Sequence, residues 1–190
     1  VLRGENYIED SIHEHFSGMK VIPASLSLSD LEGIDITELK NNLKGIFNKN
    51  DIIILDSSPG LGREAMATIK ASDELLYITN PYVPFVMDVI RCQEVAKELG
   101  IKELGIVLNM VHKKKHEMTK REIEELTKLP VISTIPFDTN VHKSLALKMP
   151  IALYKPNTSA SKEMFKLASF LTGEKYTQES VFSRPLRSLK

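Results

Sequence analysis

The run Asp51-Ile-Ile-Ile-Leu-Asp56 most constrains what this chain can fold into. Four consecutive apolar, mostly β-branched residues end in an acid, and Ser57-Ser58-Pro59-Gly60-Leu61-Gly62 and a helical pattern follow. The run is continuous rather than alternating. Strands read that way when both faces are covered, as in parallel sheets. Leu75-Leu-Tyr-Ile-Thr79 has the same character. Further strands are expected at Lys20–Ala24, Glu103–Val111, Pro130–Pro136 and Ile151–Tyr154.

Helical spacing separates these runs. Ile36, Leu39, Leu43, Ile46 and Phe47 follow Asp35, and Val86, Val89, Ile90, Ala96 and Leu99 precede Gly100. Thr119-Lys-Arg-Glu122 is a capping box, and Met164, Phe165, Leu167, Ala168 and Leu171 run up to Gly173. Residues 5–17 read as a first helix on Ile8, Ile12 and Phe16. Strand and helix in alternation specify an α/β fold, a mostly parallel sheet with helices on both faces and right-handed crossovers.

At 190 residues, 42% apolar and 26% charged, the chain can bury a core without disulfides. Lys plus Arg and Asp plus Glu are 25 each, so no net field draws the chain to nucleic acid or lipid. One cysteine, Cys92, excludes a disulfide framework and an iron–sulfur cluster held by this chain alone, and fits a reducing cytoplasm. No apolar stretch approaches a membrane span of about 18 residues.

An acid at the carboxyl end of a buried strand lies where open α/β sheets bind ligands, and burying it is costly unless it serves a cation. The Walker B arrangement supplies that reason: Asp56 would hold Mg²⁺ through water, and Mg²⁺ would bind nucleotide phosphates. Gly60, without a side chain, would bring a backbone N–H close to a terminal phosphate. Gly60-Leu-Gly62-Arg-Glu-Ala65 also matches a dinucleotide fingerprint. Against that reading, Asp56 and Pro59 stand before the glycines, and the next strand leads to Asn80 rather than to a ribose-binding acid. A plainer alternative is an acid that caps a turn or the following helix.

The whole run of motifs resembles the MinD/ParA group of deviant-Walker P-loop ATPases, with archaeal MinD-type proteins most alike. The resemblance rests on Val1-Leu-Arg-Gly-Glu-Asn, Met19-Lys-Val-Ile-Pro-Ala24, Asp51–Gly62, Lys70-Ala-Ser-Asp73-Glu, Thr79-Asn-Pro81, Gly105-Ile-Val-Leu-Asn109, Ile135-Pro136-Phe-Asp138, Met149-Pro150-Ile and Leu167–Gly173, in order. It implies that residues 1–173 are the C-terminal two-thirds of an ATPase domain. Asp56 would be the Mg²⁺ acid, Gly60 the switch II glycine, and Asn109 the reader of the adenine edge. Pro136 and Asp138, with Val141 after them, would pack around the base, and Asp88 would be a partner-binding acid. ATP and Mg²⁺ are the implied cofactors. A homodimer formed in the presence of ATP and a regulatory protein are the implied partners, in a protein that positions the division site or another structure.

Departures are local. Ser58 replaces a proline, Met110 an arginine, and Tyr82, Pro84 and Phe85 an acid and small polar residues. The printed sequence has no Gly-Lys dipeptide, hence no K-G-G-x-G-K-[ST] loop, and no switch I segment. The resemblance therefore implies a piece of a longer protein, lacking the first strands and the P-loop, with negligible ATPase on its own. An adaptor or pseudo-ATPase without nucleotide is the alternative. His112-Lys-Lys-Lys-His116 reads as a solvated basic loop, and nucleic acid is not an expected partner. His13 and His15 fall on different faces of a helix, and His142 lies beside the base loop. Residues 174–190 form a polar tail whose apolar and cationic end faintly resembles the amphipathic terminus of MinD proteins, which implies weak contact with the inner face of the cell membrane.

Overall fold

The computed structural model describes residues 7–23, 38–47 and 52–175. They fall into two compact units, Val1–Leu75 with Glu94–Lys102, and Leu76–Gln93 with Glu103–Lys190.

In the first unit, residues 8–17 are not the expected helix. Ile8–Ser11 forms one 3-10 turn, and β1 (His13–Glu14) then pairs antiparallel with β2 (Lys20–Val21). Gly18, at φ +84°, makes the reversal between them, a conformation in which glycine is at ease and most residues are not. Strand β2 therefore covers only the start of the expected Lys20–Ala24, and Ala24 lies outside the described residues. Helix α1 (Leu39–Leu43) runs into a 3-10 turn at Lys44–Ile46. Helix α2 is Arg63–Ala71. Ile8, Leu43, Ile46 and Ala71 form the core of this unit, with Ile12, Leu39, Phe47, Ile53 and Leu55 packed against it.

The described part of the Asp51–Asp56 run, from Ile52 onward, joins no ladder. Ile53 and Leu55 reach the core, whereas Ile52 and Ile54 are exposed, Ile54 to 80%. Alternate burial of this kind is what a chain covered on one face shows. Among the described residues nothing covers the second face of this continuous apolar run.

The α/β sheet is three-stranded, in the order β3 (Glu74–Thr79), β4 (Lys102–Val111), β5 (Val131–Pro136), with β4 and β5 parallel. Helix α3 (Val83–Leu99) joins β3 to β4, and α4 (Lys120–Thr127) joins β4 to β5. After β5 come α5 (Thr139–Ala146), α6 (Ile151–Tyr154) and α7 (Ser159–Thr172). Val107, Ile135 and Ala160 form a buried cluster with Leu76, Ile132, Met164 and Leu167 against it, so α7 covers one sheet face. Ile106 and Leu108 point the other way along β4 and are buried too. Both faces of β4 are covered, whereas β3, one of the two runs expected to be covered on both faces, leaves Ile78 64% exposed. Each fully buried Ile or Val stabilises by about 1.5–3 kcal/mol.

Ile151–Tyr154 is a helical turn rather than the expected strand. Pro150 begins it, and its carbonyl accepts from Leu153 N and Tyr154 N at 2.9 Å each. Four residues are too few for periodicity to separate helix from strand, and the preceding proline suits a helix start. The capping box is present in full: Thr119 accepts from Glu122 N, and Glu122 accepts from Thr119 N at 2.7 Å. Gly100 and Gly173 end α3 and α7 at φ +66° and +71°. Of the tail, residues 176–190 lie outside the described residues. No helix among the described residues is long and apolar enough to cross a membrane.

Candidate functional site

The candidate residues divide between the two units. In the first, Asp56 ends the extended Ile52–Leu55 segment, and Pro59-Gly60 turns the chain toward α2. The expectation of a buried acid is corrected: Asp56 is exposed, because the segment leading to it is covered on one side only. Among the described residues nothing pairs with its carboxylate. Gly60 holds φ +80°, and a Cβ there would meet nothing within 4 Å, so its backbone faces open space.

No cluster of three or more His, Cys, Asp or Glu that could cage a metal occurs among the described residues. The donor chemistry fits Mg²⁺ all the same, since that ion keeps several waters and commonly takes one or two carboxylates with phosphate oxygens.

In the second unit, Asn109 stands near the carboxyl end of β4. Its Oδ1 accepts the Met110 N–H at 3.0 Å, which leaves the Nδ2 donors without a partner among the described residues. Met110 takes φ +55°, and the register shifts between Leu108 and Val111. That bulge re-aims the side chains at the strand end. Pro136 ends β5 opposite Val111, and Phe137 N donates to Val111 O at 3.0 Å. Asp138 caps α5: its Oδ1 accepts from Asn140 N at 2.8 Å and from Asn140 Nδ2 at 2.7 Å. These bonds, the Asn140 backbone N–H first, hold its carboxyl below the usual carboxylate range against the upward push of desolvation. Lys155 Nζ in turn donates to Asn140 Oδ1 at 3.0 Å. Val141 packs onto the cluster of Val107 and Ile135.

Asn109, Pro136 and Asp138 are thus all at the carboxyl end of one sheet, where open α/β sheets take ligands. Asp88 lies apart on α3, exposed and paired with Arg91 at 2.9 Å. Cys92, one turn further, is half-buried; burial, then the Asp88 charge, pushes its thiol pKa up.

A ring cluster here escaped sequence reasoning. His112 stacks on Phe137 with centroids 4.3 Å apart, and Phe137 meets His142 edge-on at 5.3 Å. The available signal was positional: His112 directly follows β4 and Phe137 directly follows β5.

Comparison with known proteins bears on the family and the fold. The ParA family model, described as an NUBPL iron-transfer P-loop NTPase, matches residues 36–172. Two uncharacterized ATP-binding proteins of Methanocaldococcus jannaschii are similar: one is 30% identical across 100% of this chain and 74% of its own length, the other 35% identical across 91% and 66%. The cell division ATPase MinD of Pyrococcus furiosus superposes with a TM-score of 0.85 at 27% identity, over 92% of this chain and 74% of that one. The septum site-determining protein MinD of Pyrococcus horikoshii, complexed with Mg-ADP, gives 0.85 at 24% identity, over 90% and 70%, a likeness of fold. This chain spans about two-thirds to three-quarters of the length of these proteins, and it belongs to the ParA family of P-loop NTPases, with a fold of the MinD type.

Proposed function

We propose that this chain is part of a MinD-like, nucleotide-dependent positioning ATPase, and that it supplies the Mg²⁺ acid, the phosphate-sensing glycine and the base-reading residues. The carrying observation is Asn109. Its oxygen is engaged by the Met110 backbone N–H, so the Nδ2 donors at a sheet's carboxyl end are free for the acceptor edge of a base. Pro136 and Asp138 stand on the neighbouring strand's end, and the engaged cap keeps the Asp138 loop in one shape.

Mg²⁺, when bound, neutralises charge on the transferred phosphoryl group. Asp56 would hold that ion through water, and the Gly60 N–H would serve a terminal phosphate. Asn109 fixes the base, and ATP holds two copies together until hydrolysis releases them. Asp88, exposed on α3, contacts a regulatory protein. Iron transfer, the activity in the family model's description, would have one thiol to work with in this sequence, and Cys92 is half-buried with a raised pKa.

The test is Mg-ATP binding by the native polypeptide that carries this sequence. Asp56→Ala is expected to weaken it by about 10–100-fold, the usual effect of a group that holds a metal through a second shell. Asn109→Ala is expected to erase the preference for ATP over GTP. Equal binding by wild type and Asp56→Ala sinks the proposal.

The alternative of a nucleotide-free adaptor is favoured by Met110 in place of an arginine. A native polypeptide that purifies without nucleotide and takes up none would support it.

A further inference from the structure

The loop from β4 to α4 carries His112-Lys113-Lys114-Lys115-His116. By sequence it is a solvated basic loop, and its tertiary setting gives it a fixed shape. The Glu117 carboxylate accepts from His112 N at 2.9 Å and from Lys114 N at 3.1 Å. Glu117 N donates to Lys114 O at 3.0 Å, and Met118 N donates to Pro81 O at 2.8 Å. Lys113 takes φ +58° within this turn. A backbone tied at these points presents its side chains at set spacings.

An aromatic stack starts at each end of the lysine run. His112 lies on Phe137 at 4.3 Å and 23°, with His142 edge-on beyond. His116 lies on Tyr82 at 6.1 Å and 14°, and Tyr82 meets Phe85 edge-on at 6.3 Å. Both histidines are exposed. The three lysines between them make no ion pair among the described residues. Of the nearby acids, Glu117 is occupied by backbone donors and Asp138 by the cap of α5. The result is a cationic strip bounded by two flat, outward rings, all within one compact unit.

The geometry points to a binding surface for single-stranded nucleic acid, with Lys113, Lys114 and Lys115 on the phosphates and the rings of His112 and His116 as platforms for bases. A run of cations with a ring face at each end matches a strand whose backbone is anionic and whose unstacked bases offer ring faces. Duplex DNA offers the same phosphates but hides its base faces. An anionic membrane would use the lysines but would be met by an apolar helix face lying in the interface, which this turn does not offer. The inference uses none of Asp56, Gly60 or Asn109, but Phe137 lies between Pro136 and Asp138 of the proposed base loop, so oligonucleotide binding that survives Asn109→Ala separates the two sites.

The test is fluorescence anisotropy of the native polypeptide with a labelled oligo-dT of about 12 nucleotides, a length within the span such grooves cover. Matched duplex and phosphatidylserine vesicles serve as competitors. Expected are binding that weakens with salt, and a loss of about 0.7 from the slope of log Kd against log salt for each lysine changed to Gln. His116→Ala and His112→Ala should each weaken binding about tenfold or more, while His116→Phe, which keeps a ring, retains it. The inference is overturned if oligo-dT does not bind, if duplex competes as well as single strand, if vesicles displace the oligonucleotide, or if neither alanine variant changes affinity.

Discussion

The Glu117 carboxylate accepts the backbone N–H of His112 at 2.9 Å and thereby closes the turn that leaves β4. Desolvation acts to raise its pKa, but the N–H groups of His112, Lys114 and Lys113 outweigh it and hold the group below its ordinary value. A depressed folded pKa gives stability that is present above the unfolded value of about 4.3 and lost as pH falls through the folded one. Glu117→Gln should therefore cost about 1 kcal/mol at neutral pH. Thermal unfolding should show the gap between variant and wild type closing in acid; a gap that persists at low pH would contradict this account.

Asp138 caps α5 through Asn140, and its carboxyl pKa is likewise depressed. Asp138→Ala should destabilise by about 1 kcal/mol, whereas Asn, a comparable cap, should be nearly neutral. The stabilising charge acts above the ordinary carboxylate pKa and fades as pH drops below it. Urea midpoints for the two variants decide the matter: equal losses would mean that the cap is not what Asp138 contributes.

Gly105 in β4 holds φ +143°, and a Cβ there would lie 2.6 Å from the carbonyl oxygen of Pro130. That oxygen also accepts from Ile106 N at 2.9 Å, so it is not free to move aside. Gly105→Ala should lower stability by about 2 kcal/mol or more, combining backbone strain with the clash. Calorimetry showing an unchanged melting temperature would refute the close approach.

Ser133 in β5 is buried, and its Oγ has no hydrogen-bond partner among the described residues. A buried hydroxyl without a bond costs about 1–3 kcal/mol. Ser133→Ala should raise the urea midpoint, with a gain of about 1 kcal/mol. A loss instead would show that the hydroxyl is satisfied by water.

Legibility in the sequence followed locality. The Thr119–Glu122 capping box, the helix end at Gly173 and the β4 strand were all readable, because each is set by neighbours within a few residues or by a continuous apolar run. Ile151–Tyr154 was misread as a strand, since four apolar residues fit either period and Pro150 decided for a helical turn. Residues 5–17 were misread as a helix, as their described part from Tyr7 onward shows: Ile8, Ile12 and Phe16 have helical spacing, yet Gly18 reverses the chain and Phe16 is left 78% exposed.

The sequence by itself determined the α/β class, the strand-end position of Asn109, and the family, because apolar runs, caps and motif order are properties of consecutive residues. The strand expected to end at Asp56 joins no ladder among the described residues. Tertiary structure alone decided that Asp56 is exposed rather than buried, since a strand's cover comes from distant segments. It also decided that His112 meets Phe137 and His116 meets Tyr82. Those pairs are 25 and 34 positions apart, and only the parallel register of β4 on β5 and the hold of Met118 on Pro81 bring such rings together.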